Sequence, residues 1–168
     1  MSRDGAIARV RDIFDSGAFL DTLRRRIAIP TESQEPSRLP YLQRYLEDEI
    51  APSMASMGYT SRITPNSVSG GGPFLVAERL EDPALPTLLT YGHGDVVRGI
   101  PEQWRDGLDP WDITVEGERW YGRGTADNKG QHTIVMAALE AVLAERGRHG
   151  FNSRMLIETS EEIGSPGL

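Results

Sequence analysis

Residues 128–159 read NKGQHTIVMAALEAVLAERGRHGFNSRMLIET. Ile134, Val135, Ala138, Leu139, Val142 and Leu143 recur three or four residues apart, which predicts one apolar helix face, ended at Gly147. RMLIET (154–159) then reads as a strand, so this stretch is a helix feeding a strand, the repeating step of an α/β chain. Upstream, DITVEGERWYG (112–122) predicts a hairpin turning near Gly117. Before it, YTSRIT (59–64), FLVAERL (74–80) and TLLTY (87–91) are short β-type runs, separated by the turn-forming SGGGP (69–73) and EDPALP (81–86). Up to about Gly58 the pattern is helical, with one stripe at Ile7, Val10 and Phe14, another at Leu42, Leu46 and Ile50, and stops at Pro30 and Gly58. No internal repeat or low-complexity segment interrupts this order.

A chain of 168 residues is long enough for one domain with an apolar core and short for two. Its formal net charge of -7 argues against nucleic acid or a membrane surface as partner, since both reward clustered Lys and Arg. The one basic run, Arg24 to Arg26, lies in a helical segment whose apolar members are Phe19, Leu20, Leu23 and Ile27, and is expected to be a solvated face. No stretch approaches the ~20 apolar residues of a membrane span, and the start does not read as a signal peptide. Cysteine is absent, so a metal would have to be held by His, Asp and Glu. A soluble, cytoplasmic protein is the expectation.

Three polar motifs stand just beyond strand-like runs, where open α/β sheets bind ligands. In GHGDVV, His93 and Asp95 are two apart, and in extended backbone they share a side. Asp95 could then take the second ring N–H of a metal-bound His93, or the pair could be an ordinary histidine beside an acid. In GRGTADNKG, Gly122 and Gly124 suit a tight turn, and Asp127 is either an N-cap of the following helix or a ligand bridging two metal ions. The dinucleotide fingerprint would need glycine at Asp127, and the Walker loop would need Gly-Lys-Ser/Thr where Lys129-Gly130-Gln131 stands. Glu161 and Glu162, if extended, would point to opposite sides, one free to ligate and the other to move a proton. His132 is expected to be a packing or exposed residue, and His149 a charge favourable to the helix end; neither joins the site. No serine elbow or thiol supports a covalent nucleophile.

YGHGDVV, DPW (109–111), WYGRGTADNKG and IETSEEIGSPGL, in this order and spacing, resemble the dimetal zinc peptidase and amidohydrolase family. Its members include glutamate carboxypeptidase, carnosinase-type dipeptidases, aminoacylase, acetylornithine deacetylase and succinyl-diaminopimelate desuccinylase. The resemblance implies a mixed, mostly parallel sheet flanked by helices. It implies that His93 binds one zinc, Asp127 bridges two and Glu162 binds the other, with cobalt or manganese as alternatives. Glu161 would be the general base, Asp95 would orient His93, and the bond after Asp127 would be cis. The substrate would be a small peptide or an N-acyl amino acid. Residues 1–168 would be the N-terminal portion of a catalytic domain, with a lid and dimerisation domain, a further acid and a second histidine lying beyond them. The full-length enzyme would be a homodimer, and the 168-residue chain alone would be inactive or nearly so. A non-catalytic metal- or partner-binding module is the alternative, and a dimetal site acting on an ester or phosphate is a third reading.

Overall fold

In the computed structural model, which describes residues 2–168, the helical start is built much as its spacing predicts. Ser2 accepts a hydrogen bond from the Gly5 amide and so caps α1 (Arg3–Asp15), and α2 (Ala18–Ile27) follows after a left-handed Gly17. The α1 stripe is less covered than expected. None of the α1 residues is fully buried, Val10 and Phe14 remain exposed, and Phe14 stacks on Trp120 at 5.4 Å between centroids. Helix α3 (Leu39–Tyr45) runs through a π turn (Leu46–Ile50) into α4 (Ala51–Ser56), and here the predicted Leu42, Leu46 and Ile50 are all buried.

The strands are β1 (Thr60–Thr64), β2 (Phe74–Arg79), β3 (Thr87–His93), the hairpin pair β4 (Thr114–Glu116) and β5 (Arg119–Tyr121), and β6 (Asn152–Glu158). Four of them form a sheet in the order β1-β2-β6-β3. The sheet is mixed as expected, but it is not mostly parallel. β1 with β2 and β2 with β6 are antiparallel, and only β3 with β6 is parallel. A nine-residue return between β1 and β2 is too short for a crossover, so that pair must be a hairpin. From β3 the chain passes through the β4–β5 hairpin and α5 (Lys129–Arg146) before entering β6, which makes a βαβ unit with a hairpin inserted. This unit puts the carboxyl ends of β3 and β6 side by side, with His93 registered against Glu158.

Leu75 and Ala77 of β2 and Met155 and Ile157 of β6 alternate onto one face and pack with Tyr45, Leu46, Ile50, Met54, Met136 and Leu139. The core-facing side of α5 differs from the predicted stripe. Ile134 and Ala138 are exposed, while Lys129, His132, Thr133, Met136, Ala137 and Leu139 face inward. Polar residues with internal partners take places that apolar periodicity would assign to aliphatic ones. One of those partners is Arg26, which corrects the reading of a solvated basic face. Arg26 sits three after Leu23 on the apolar side of α2 and is buried, its guanidinium donating to Thr133 Oγ1 at 2.6 Å and Ser53 Oγ at 3.1 Å. Among the described residues no helix is long and apolar enough to cross a membrane.

His149 is likewise not a charged helix-end residue. It is buried, its Nε2 lies 3.0 Å from the Tyr59 hydroxyl, and Phe151 stacks on its ring. Burial holds its pKa below the ordinary value, with Arg79 and Arg146 acting in the same sense and Glu81 opposing. The unfolded chain therefore takes up the proton first, and stability conferred by neutral His149 is lost as pH falls below about 6.5. His149→Gln is expected to shrink the loss of urea-unfolding stability between pH 7 and pH 5. An unchanged loss would show that another group carries it.

Candidate metal and active site

His93 closes β3 at the sheet edge and is 4% exposed. The next residue, Gly94, still belongs to the ladder, donating its amide to Glu158 O at 2.8 Å. The loop after α2 runs alongside: Thr31 Oγ1 donates to Gly94 O at 2.6 Å, the Val96 amide donates to Thr31 O, and Glu32 bridges Val96 in parallel. Asp95 is thereby enclosed completely. Its carboxylate accepts Ser33 Oγ at 2.6 Å and the main-chain amides of Glu161 and Glu162 at 3.1 Å each, and it lies 3.4 Å from His93 Nδ1. One buried carboxylate thus ties β3, the loop after α2 and the Glu pair together.

The Glu pair is not extended. It opens a single 3-10 turn (Glu161–Ile163) after Ser160, because the two amides bend toward Asp95, so the two side chains need not point apart. Both carboxylates lie near His93: ligand atoms of His93, Glu161 and Glu162 fall within 4.8 Å of one another. Asp127 is outside that triplet, yet its Oδ1 is 3.0 Å from His93 Nε2, while Glu161 Oε2 is 3.8 Å from the same nitrogen. The Asp127–Asn128 bond is cis. Asp127 does not cap α5; Asn128 holds the N-cap position and its side chain makes no cap bond, which disposes of the N-cap alternative. All five candidate residues, His93, Asp95, Asp127, Glu161 and Glu162, therefore meet at one end of the sheet.

Whether this set suits a divalent cation can be judged from its protons. Asp95 faces Nδ1 with its main-chain oxygen at 3.1 Å and its carboxylate at 3.4 Å and fixes the N–H there, so Nε2 is turned toward the carboxylates of Asp127 and Glu161. Carboxylates gathered around Nε2 favour a positive charge there, whether a proton on the ring or a metal ion in its place. Burial alone would lower the His93 pKa, yet hydrogen bonding and charge from Asp95, joined by Asp127, raise it to about 9. Glu162 is raised by burial; His93 opposes this, and the charges of Asp127, Asp95 and Glu161 add to it. An imidazole nitrogen and carboxylates converging at one edge suit a divalent cation, and the residues fit.

Several supporting residues carried little sequence signal. Ser33 and Thr31 sit about sixty residues before the Asp95 and Gly94 they bind, in a loop whose composition is ordinary. Asn128, next to Asp127, uses its Oδ1 to accept the His93 amide at 3.2 Å. Glu158 is buried and accepts from Tyr91 Oη and from Ser165 Oγ at 2.9 Å.

Residues 89–168 match the family model described as Peptidase family M20/M25/M40. The mouse Beta-Ala-His dipeptidase is 32% identical over 163 residues, covering 89% of this chain and 32% of that protein. Human carnosine dipeptidase 1 superposes with a TM-score of 0.87 at 27% identity, over 98% of this chain and 36% of that one. An M20 family metallo-carboxypeptidase from Sulfolobus solfataricus superposes with a TM-score of 0.73 at 26% identity, over 88% of this chain and 32% of that one. The chain thus spans about a third of the length of the relatives it matches.

Proposed function

Residues 89–168 belong to the M20/M25/M40 peptidase family, and from that premise we propose that the chain is the N-terminal portion of a metallopeptidase catalytic domain that hydrolyses amide bonds in small substrates. Dipeptides are favoured over N-acyl amino acids because relatives matched over most of this chain bear dipeptidase names. Supporting the reading is one observation above the rest: His93, held at Nδ1 by buried Asp95, turns Nε2 toward carboxylates from two other segments.

His93 and Glu162 would each hold one divalent cation, zinc by preference, and Asp127 would share its two oxygens between them. When bound, the ions supply Lewis acidity, polarising the scissile carbonyl and acidifying water. Glu161, beside Glu162 and 44% exposed at its side chain, is free to take the proton of the attacking water and pass it to the departing amine. Asp95 fixes the His93 tautomer and, through the two amides, the place of the Glu pair. A cytoplasmic homodimer completes the proposal.

Hydrolysis of a dipeptide panel by the full-length enzyme should vanish on chelation and return with added zinc, cobalt or manganese. Turnover indifferent to chelation would refute the metal assignment, and activity confined to esters or phosphates would refute the substrate class. Residues 1–168 provide two of the usual three protein ligands per ion. The 168-residue chain alone is therefore expected to show no dipeptidase rate above background with zinc added; ordinary peptidase rates would overturn that.

A further inference from the structure

Both glycines that flank His93 are filled by neighbours. A Cβ on Gly92 would stand 3.0 Å from Asn128 Oδ1 and 3.0 Å from His132 Cβ, and a Cβ on Gly94 would stand 2.6 Å from the Tyr45 ring. The three intruding residues are themselves connected. Tyr45 Oη and His132 Nε2 are 2.5 Å apart, His132 Nδ1 and Asn128 Oδ1 are 3.3 Å apart, and the same Asn128 oxygen accepts the His93 amide.

Each proton in this chain can be placed. Asn128 Oδ1 can only accept, so His132 Nδ1 must carry the hydrogen that reaches it. His132 is 1% exposed, and burial, reinforced by Arg26, Lys129 and His93, keeps its pKa well down, so the ring is neutral and Nε2 is an acceptor. Tyr45 is fully buried, which pushes its hydroxyl pKa far up and keeps the proton on oxygen, so Tyr45 donates. The order is Tyr45 O–H to His132 Nε2, then His132 Nδ1–H to Asn128 Oδ1, which also receives His93 N–H. Lys129 Nζ lies over the Tyr45 ring at 4.8 Å and donates to Arg26 O and Ile29 O, so the far end of the chain is anchored in the core.

We infer that Tyr45 and His132 are positioning residues for the site proposed above: acting through Asn128, they fix where the His93 main chain stands relative to the adjoining Asp127. This rests on the metallopeptidase reading for its consequence but not for its geometry. His93 is thus held from both sides, at its ring by Asp95 and at its amide by Asn128, and His132 supplies the hydrogen bond that stops the Asn128 side chain from turning.

The test compares two double variants of the full-length protein. Tyr45→Phe with His132→Asn keeps a donor near the Nδ1 position and leaves no orphaned hydroxyl, whereas Tyr45→Phe with His132→Leu removes the donor. Three quantities are read: thermal unfolding, zinc affinity by competition with a chromophoric chelator, and hydrogen exchange at the His93 amide. The leucine pair is expected to bind zinc roughly tenfold more weakly, in line with the loss of groups that support a metal ligand, and to exchange the His93 amide faster. The asparagine pair should stay near wild type in both. Equal behaviour of the two pairs in affinity and exchange would overturn the inference, because a space-filling role does not distinguish them. Should the leucine pair not fold, Tyr45→Phe alone decides: it releases the His132 tautomer and is expected to speed His93 amide exchange, and no change refutes the chain. If the wild type itself binds no zinc, the metal reading fails, while the exchange comparison still decides the positioning role.

Discussion

Glu161→Gln is expected to lower the turnover of the full-length enzyme on dipeptides by a factor on the order of 10²–10⁴ while zinc stays bound, the loss typical of removing a general acid–base group. The amide has the size of the carboxylate and cannot take a proton from water. Glu161 is well suited to that task by position. Its side chain is 44% exposed, so it can reach solvent and substrate, yet its oxygen is 3.8 Å from His93 Nε2 and its amide is clamped to Asp95. Because the clamp acts on the main chain, the substitution leaves it in place. Unfolding stability is expected to move by less than about 1 kcal/mol, because the carboxylate is 44% exposed and its contact with His93, at 3.8 Å, is long. Metal content measured beside turnover separates the roles. A fall in both would make Glu161 a ligand, and near-normal turnover with zinc retained would sink the general-base assignment.

The extent to which this site was legible follows from what each residue does. His93, Asp95 and Glu161–Glu162 are legible because they end or follow β3 and β6, whose parallel pairing sends both ends to one edge, and Asp127 because it stands at the entrance to the helix that joins those strands. Parallel pairing of β3 with β6 was implied by the helix between them, whereas the place of β2 between β1 and β6 depends on pairing choices that no short window contains. The partners of Arg26, His132 and His149 are hidden from sequence for one shared reason. A polar side chain is read as exposed unless its partner is known, and theirs are Thr133 and Ser53, Tyr45 and Asn128, and Tyr59, all distant in sequence except Asn128. The same holds for the facing of α5, where buried polar residues rotate the apolar stripe partly outward.

Asp95→Ala should cost the metal-free chain about 3–5 kcal/mol of unfolding free energy, the range for removing one member of a buried charged contact. The argument is one of stranded donors. Ser33 Oγ, the Glu161 amide and the Glu162 amide would all lose their acceptor inside the fold, and each unsatisfied buried group costs about 1–3 kcal/mol. Some of that is recovered by water entering the vacated space, so the sum is not additive. Asp95→Asn is not a neutral control. The amide nitrogen would face the Glu161 amide and His93 Nδ1 in one orientation, and the Glu162 amide in the other, so a donor meets a donor either way. Only Ser33 can rotate to accommodate it. The asparagine variant is therefore expected to lose roughly half as much stability as alanine by the same unsatisfied-donor accounting. Both should weaken zinc binding by about 10- to 100-fold, since the carboxylate that supports the His93 ring and seats Glu162 is lost, although the Asp95 main-chain oxygen, 3.1 Å from Nδ1, still accepts from the ring. Urea unfolding in the presence of chelator, set beside a zinc titration, checks the two effects separately. Variants that unfold within about 1 kcal/mol of wild type and bind zinc unchanged would mean that Asp95 merely fills space beside the site, and that Ser33 and the two amides find other acceptors.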